Sequence, residues 1–287
     1  MTATATPYHD RMMRALDHID RHLDDDLDLA SISAVAAFSK YHFHRQFVAT
    51  FGLPVYRYVQ LARLQRASHR LAFHAGRVTD VALDAGYDAP DAFARAFRRQ
   101  FGQSPSAFRS APDWAPWRAA LLPLDQARNR FMPTCDVTIR HFPDTPIAYL
   151  SHDGDMASIG DTIRRFIDWR RANRLPPSNA ATFNIFHSDP HDLAAGPVRI
   201  DLCVATDRAF PAEDGIAMGL IPGGRCAVIR VTGRADDLEA PALHLYRDWL
   251  PTSGEEPRDF PLFCQRVRFF PEVAEHDAIT DLFLPLR

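Results

Sequence analysis

Phenylalanine recurs at every fourth position in two short stretches, Phe43, Phe47, Phe51 and Phe93, Phe97, Phe101. A four-residue period keeps side chains on one face of an α-helix, so each stretch predicts a helix with a buried aromatic stripe. Arg45 and Arg95 fall on a different face. The stretches are copies at an offset of 50 residues, Phe-x-Arg-x-Phe followed by Phe-Gly at 43–52 and again at 93–102. Upstream, with a one-residue slip, Leu29, Ile32, Ala36, Ala37 and Phe38 correspond to Val78, Val81, Ala85, Gly86 and Tyr87. Each copy predicts helix, tight turn, helix. Ser39 and Thr79 are the expected N-caps, and Gly86 stands where a helix can end in a left-handed residue. Between the copies, Tyr58, Leu61, Ala62, Leu64 and Leu71 alternate with Arg57, Arg63, Arg66 and Arg70, which predicts one long connecting helix over 55–73. Met12, Leu16, Ile19 and Leu23 predict a packing helix over 8–23, before the turn at Asp24-Asp25-Asp26.

From Pro105 to Pro133 the pattern breaks: Pro112, Pro116 and Pro123 punctuate a segment with two tryptophans, which reads as a partly packed linker. Beyond it lies a second duplication, offset by about 80. Pro143, Ala148 and Gly154 match Pro222, Ala227 and Gly233, and Asp168-Trp169 matches Asp248-Trp249. Phe183 matches Phe263, and Ile200-Asp201-Leu202 matches Thr280-Asp281-Leu282. Apolar runs at 146–150 and 226–231, amphipathic stretches ending near each tryptophan and two later apolar runs predict β-α-β-β twice. The expected fold is multidomain: an all-α domain of two helix-turn-helix motifs (1–110), a linker (111–133) and an α+β domain of two pseudo-symmetric β-α-β-β units (134–287).

Charge sharpens this division. The chain carries a net −3, but residues 40–109 hold 11 basic against 4 acidic side chains. Clustered basic charge displaces condensed counterions from phosphates, so the first domain has the sign that DNA requires. Cys135, Cys203, Cys226 and Cys264 are scattered without a C-x-x-C pair, which argues against a zinc ribbon or a redox dithiol. The expectation is no metal and no cofactor. Neither a membrane-length apolar run nor a secretory start at 1–7 is visible, so a cytoplasmic protein is expected.

Ser39-Lys40-Tyr41-His42-Phe43-His44-Arg45-Gln46-Phe47, with Gly86-Tyr87-Asp88 and the run Phe101-Gly102-Gln103-Ser104-Pro105-Ser106-Ala107-Phe108-Arg109, resembles the paired DNA-binding motif of the AraC/XylS family. The C-terminal part resembles the GyrI-like effector-binding domain, through His152-x-Gly154, Ser188-Asp189-Pro190, Ile200-Asp201-Leu202-Cys203, Ile221-Pro222-Gly223-Gly224 and Trp249-Leu250-Pro251. Together the resemblances imply a transcription regulator with a C-terminal sensor of a small organic molecule.

By the first resemblance, Tyr41, His44 and Arg45 face the DNA groove from one motif, and Ala89, Pro90, Asp91 and Arg95 from the other. Arg45 and Arg95 suit bidentate bonding to guanine, and Arg57, Arg98 and Arg99 suit phosphates. Asp91 can accept from a cytosine amino group or cap its helix, and capping is the expected role. The partner is double-stranded DNA at an asymmetric site of two major-groove segments about 10 bp apart, with RNA polymerase a further candidate partner. Tyr149, Trp169, Phe183, Trp249, Phe263 and Cys264 are the candidate effector-binding residues. Relatives that take cationic lipophiles place a glutamate where Cys264 stands, and Met156 replaces a tyrosine. A neutral or anionic effector is expected over a cationic one. No catalytic residue is assigned. His187-Ser188-Asp189-Pro190-His191 holds two imidazoles and a carboxylate, but a proline-containing loop scarcely lets them converge. A protein-interaction module without a ligand, or a hydrolase-like domain, are the alternatives for the C-terminal half.

Overall fold

A computed structural model describes residues 7–74, 76–129, 136–188, 198–211, 214–233, 238–269, 272–273 and 277–287. The chain divides into two compact units, Met1–Phe131 and Met132–Arg287.

The first unit is helical throughout its described elements: α1 (Pro7–Arg21), α2 (Leu29–Val35), α3 (Lys40–Phe51), α4 (Val55–Phe73), α5 (Val78–Asp84), α6 (Pro90–Phe101), α7 (Pro105–Ser110) and α8 (Trp114–Asn129). The pairs α2–α3 and α5–α6 are the two repeated motifs, and α4 is the predicted connecting helix. All six stripe phenylalanines are buried and touch as a chain of rings, Phe43 to Phe47 to Phe51 and Phe93 to Phe97 to Phe101. Ser39 caps α3 by accepting from the His42 N–H, as its sequence position predicts. Thr79 does not cap: Arg77 holds the N-cap position of α5 without a side-chain bond, because the helix starts two residues earlier than expected.

Residues 114–129, expected as linker, form a full helix. Trp114, Leu121, Leu124 and Ala127 are buried along one face, with Trp117 half-buried beside them. Burying each large apolar side chain contributes roughly 1.5–3 kcal/mol, enough to outweigh one interior proline at about 3 kcal/mol. Pro116 costs little, because the N–H groups of a first helical turn have no intrahelical partner. The prolines hid an apolar stripe that spacing alone would have revealed.

Among its described residues, the second unit is one eight-stranded antiparallel sheet with helices outside it. Its first half runs β1 (Val137–Phe142), β2 (Thr145–Gly154), α9 (Ile159–Ala172), β3 (Thr182–Phe186) and β4 (Val198–Ala205). The second half repeats this as β5 (Ile216–Ile221), β6 (Gly224–Thr232), a broken helix, β7 (Leu262–Arg268) and β8 (Ile279–Pro285). That broken helix comprises α10 (Glu239–Leu243), a π-helical stretch His244–Trp249 and α11 (Leu250–Ser253). Each half thus carries one strand more than the expected β-α-β-β. Strand β1 is mostly exposed and mixed in polarity, whereas β5 is apolar throughout; they precede Pro143 and Pro222 respectively, where the matched pairs of the duplication begin.

Strand order is β1-β6-β8-β7-β3-β4-β2-β5. First strands are therefore exchanged: β1 pairs with β6 of the other half, and β5 with β2. This order forces curvature. Laid flat, β1 and β2 would lie six strand spacings apart, roughly 29 Å, yet only Pro143 and Asp144 join them, a reach of about 11 Å. The sheet curls until its ends meet, and Phe142 on edge strand β1 touches Phe183 on β3 at 5.9 Å between ring centroids. The connection Pro222-Gly223 crosses at the same place, where the Gly223 N–H donates to Asp144 Oδ1 at 2.6 Å. A Cβ on Gly223 would stand 2.7 Å from the Asp144 nitrogen, so no larger residue fits the crossing. No helix among the described residues is long and apolar enough to cross a membrane.

Candidate functional site

Burying the phenylalanine stripe turns the opposite face of each motif's second helix outward. On α3, Tyr41, His44 and Arg45 are exposed, Tyr41 to 87%. Ala89 and, on α6, Pro90, Asp91, Arg95, Arg98 and Arg99 are exposed as well. The sequence-predicted groove residues thus share the free face of their helices, and among the described residues no hydrogen bond or ion pair engages Arg45 or Arg95.

Two details differ from expectation. Asp91 is not the cap: Ala89 occupies the N-cap position and makes no side-chain cap bond. The Asp91 carboxylate therefore lies exposed in the first turn. Arg57 is half-buried and bridges helices, donating to Gln60 Oε1 and to Gln100 Oε1, each at 2.7 Å. Phosphate contact suits Arg98 and Arg99 better.

The other arginines of α4 are also structural. Arg63 donates to the carbonyls of Leu23 and Asp25, at 2.8 and 2.7 Å. Arg66 pairs with Asp24 and donates to the Asp84 carbonyl, while Arg70 pairs with the Asp84 carboxylate. They tie the acidic turn after α1 and the end of α5 to α4. Of the basic excess over 40–109, the part on α4 is spent internally and the part on α3 and α6 faces outward. Sequence alone did not separate the two groups.

In the second unit, the six candidate effector residues fall into different places. Tyr149, Phe183 and Phe263 face the inside of the curled sheet with Phe142 and Phe283, where Phe263 and Phe283 stack at 4.8 Å. Phe183 and Phe263 are core, because the curled sheet closes over them. Cys264 faces the other way, onto the helix-bearing side, and is fully buried. Trp169 packs against Phe166 and Phe210, whereas Trp249 belongs to the separate cluster of the second half. The structure does not bring the six together.

On the helix-bearing side, the two halves abut along β3 and β7. There Asn184 lies beside Cys264, Arg266 Nε donates to Asn184 Oδ1 at 3.3 Å, and Phe186 packs against the apolar clusters of both halves. Burial pushes the Cys264 thiol up from its usual range. Asn184, Phe186 and Arg266 were missed in the sequence because none belongs to a repeated pair.

The repeat does mark a pair of buried carboxylates. Asp201 accepts from Ser151 Oγ at 2.5 Å and meets His187 Nε2 at 2.6 Å. Asp281, its counterpart, binds Arg230 through two bonds of 2.7 Å, with Arg140 3.7 Å away. Asp201 is level with Ile185 and Phe263, and Asp281 with Gln265 and Phe183, so the two carboxylates stand two residues apart in register, one on each side of the β3–β7 pair. His187 is thus engaged by Asp201, while Asp189, Pro190 and His191 lie outside the described residues, as does Cys135.

Comparison with known proteins agrees with both halves. Residues 136–287 match the family described as GyrI-like small molecule binding domain, and residues 32–111 match a helix-turn-helix domain. The probable transcriptional regulator YgiV of Escherichia coli (strain K12) is 34% identical over 155 residues, 53% of this chain and 97% of its own length. The right origin-binding protein of the same organism is 34% identical over 97 residues, 34% of each chain. A crystal structure of the DNA-binding domain of AdpA, the global transcriptional factor, in complex with a target DNA is 29% identical, covering 35% of this chain and 91% of that one at a TM-score of 0.34. The duplicated, strand-exchanged sheet and the twin motifs therefore have one explanation: this chain belongs to the GyrI-like small molecule binding family and carries an AraC-type double helix-turn-helix DNA-binding domain in front of that fold.

Proposed function

We propose that the protein is a sequence-specific transcription regulator that reads DNA through α3 and α6 and answers to a small organic molecule held in its C-terminal unit. The observation that carries this reading is the recurrence of an exposed arginine, Arg45 and Arg95, opposite the same buried stripe in both motifs. Tyr41 and His44 would join Arg45 in one groove segment, and Ala89, Pro90 and Asp91 would join Arg95 in the next, about 10 bp away. With its helix left uncapped by any side chain, Asp91 is free to accept from a cytosine amino group. Arg98 and Arg99 would hold phosphates.

The effector would sit on the helix-bearing side where the halves abut, over Asn184, Phe186 and Arg266. An arginine there and a thiol in place of a carboxylate favour a neutral or anionic molecule. We read the unit as non-enzymatic: Cys264 could act as a nucleophile only as a thiolate, and it is buried, which raises its thiol pKa. The protein would work in the cytoplasm, with RNA polymerase as a partner at its promoters.

The test is binding of the whole protein to duplexes selected from a random library, at several salt concentrations. Specific binding that weakens steeply with salt is expected, with Arg45→Ala and Arg95→Ala each losing roughly 5- to 150-fold, the equivalent of about 1–3 kcal/mol. Equal, weak binding of all three proteins to every duplex would sink the reading.

A further inference from the structure

Helix α8 lies beyond the matched helix-turn-helix segment, which ends at residue 111, yet it packs against α3, α4 and α6 together. Two of these are the helices whose free faces carry Arg45 and Arg95. Its attachment is polar as well as apolar. Arg128, near its end, is buried and donates to Tyr58 Oη at 2.8 Å, Gln65 Oε1 at 3.2 Å and Asp20 Oδ1 at 3.0 Å. Tyr58 in turn donates to Asp20, so one network joins α1, α4 and α8. Trp117 Nε1 donates to Ser68 Oγ on α4 at 2.6 Å. On α6, Gln100 donates to the Ala120 carbonyl of α8 at 3.0 Å and accepts from Arg57 of α4 at 2.7 Å.

From this geometry we propose that α8 is a third component of the DNA-reading unit, a spacer that fixes the distance and angle between the two motifs, with Arg128 and Gln100 as positioning residues. The argument is one of constraint. The motifs are joined in sequence only through α4, and the bonds of Arg57, Arg66 and Arg70 tie the second motif to that helix without reaching the first, so the angle between the motifs keeps some freedom. A helix that touches both reading helices and the connector removes that freedom. Buried, multiply bonded side chains such as Arg128 have few alternative arrangements, because a displaced guanidinium would be left buried and unpaired. Neither Arg128 nor Gln100 lies on the exposed face that carries the base-reading residues, so their effect on DNA would pass through the placement of α3 and α6.

This rests on the two-motif reading above, and its signature is spacing discrimination rather than affinity. Moving one half-element by a base pair turns it by about 34° and shifts it by about 3.4 Å, which a rigid pair of helices cannot follow. The experiment selects a site with the unaltered full-length protein and then measures binding to that duplex and to versions with one base pair added or removed between the two elements. The unaltered protein is expected to prefer the selected spacing by roughly tenfold or more, a one-mismatch cost. In Arg128→Ala the preference should shrink to about threefold or less, and Arg128→Lys should restore part of it. Gln100→Ala cuts the ties of α6 both to Ala120 of α8 and to Arg57 of α4, so it should relax the preference more than Arg57→Ala, which cuts the second tie and leaves the first, with the helical circular-dichroism signal intact in each; that comparison decides the matter if Arg128→Ala fails to fold. Unchanged spacing preference in a folded Arg128→Ala or in Gln100→Ala would show that α8 merely stabilises and would overturn the proposal. Failure of the unaltered protein to select any site would instead overturn the DNA reading itself, and this proposal with it.

Discussion

Ala37 and Gly86 occupy the same position in the two motifs and solve the same backbone problem differently. Both turns close with the same pair of bonds: Phe38 N–H to Ser33 O and Ala37 N–H to Ala34 O, then Tyr87 N–H to Ala82 O and Gly86 N–H to Leu83 O. That arrangement needs a left-handed residue, and φ is +52° at Ala37 and +77° at Gly86. Arg11 holds the first turn by donating to the carbonyls of Ala36 and Ala37. The two positions should therefore respond oppositely to exchange. Gly86→Ala should destabilise the first unit by about 1–2 kcal/mol for the left-handed Cβ, and more if Arg63 must shift, since the new atom would stand 2.5 Å from its Nη1. Ala37→Gly should gain up to about 1 kcal/mol, the relief of strain less the added freedom of the unfolded chain. Urea unfolding of both variants checks the signs. Burial raises the thiol pKa of Cys203, Cys226 and Cys264, so at pH 8 the reactive thiolate is scarcer than for an ordinary cysteine. Mass spectrometry after brief alkylation should find these three unmodified in the folded protein and modified after denaturation; rapid native labelling of Cys264 would contradict its buried placement.

Among the elements, periodicity spoke most clearly where a helix buries one narrow face. The stripes of α3 and α6 and the bounds of α4 were legible because a four-residue spacing has no other economical meaning. Helix α8 was obscured by Pro116 and Pro123, whose breaking signal masks Trp114, Leu121, Leu124 and Ala127 on a common face. Arg57 of α4 looks like a phosphate ligand in sequence, since nothing local shows that Gln100 will be brought to meet it. Strand β1 escaped because, exposed at a sheet edge, it carries too few apolar positions to announce itself, and the apolar β5 because it precedes Pro222, where the matched pairs of the second repeat begin. The effector candidates failed for a related reason: aromatic residues mark burial, and only the curl of the sheet decides whether burial means core or binding wall. At this level Asp20→Asn should destabilise the first unit by about 1–3 kcal/mol, because it weakens the carboxylate to which both Arg128 and Tyr58 donate. Denaturant unfolding measures the loss directly, and a change below about 0.5 kcal/mol would mean that the network contributes little.

At the scale of the whole molecule, the two units are separate compact bodies, and the division after Phe131 has practical weight. A fragment of residues 1–131 should fold and bind the selected duplex, whereas one ending at 111, where the helix-turn-helix match stops, exposes the apolar seat of α8 and should melt earlier and tend to aggregate. Thermal unfolding of the two fragments tells them apart. The exchange of β1 and β5 imposes a different rule on the second unit. Residues 136–211 and 214–287 look like two modules in series, but each lends the other its opening strand. A single repeat expressed alone would hold a β-strand with no place to dock and a vacancy where its sibling's strand belongs. Two such orphans could satisfy one another by trading arms, so the folded unit amounts to a handshake between twins that a continuous polypeptide has made permanent.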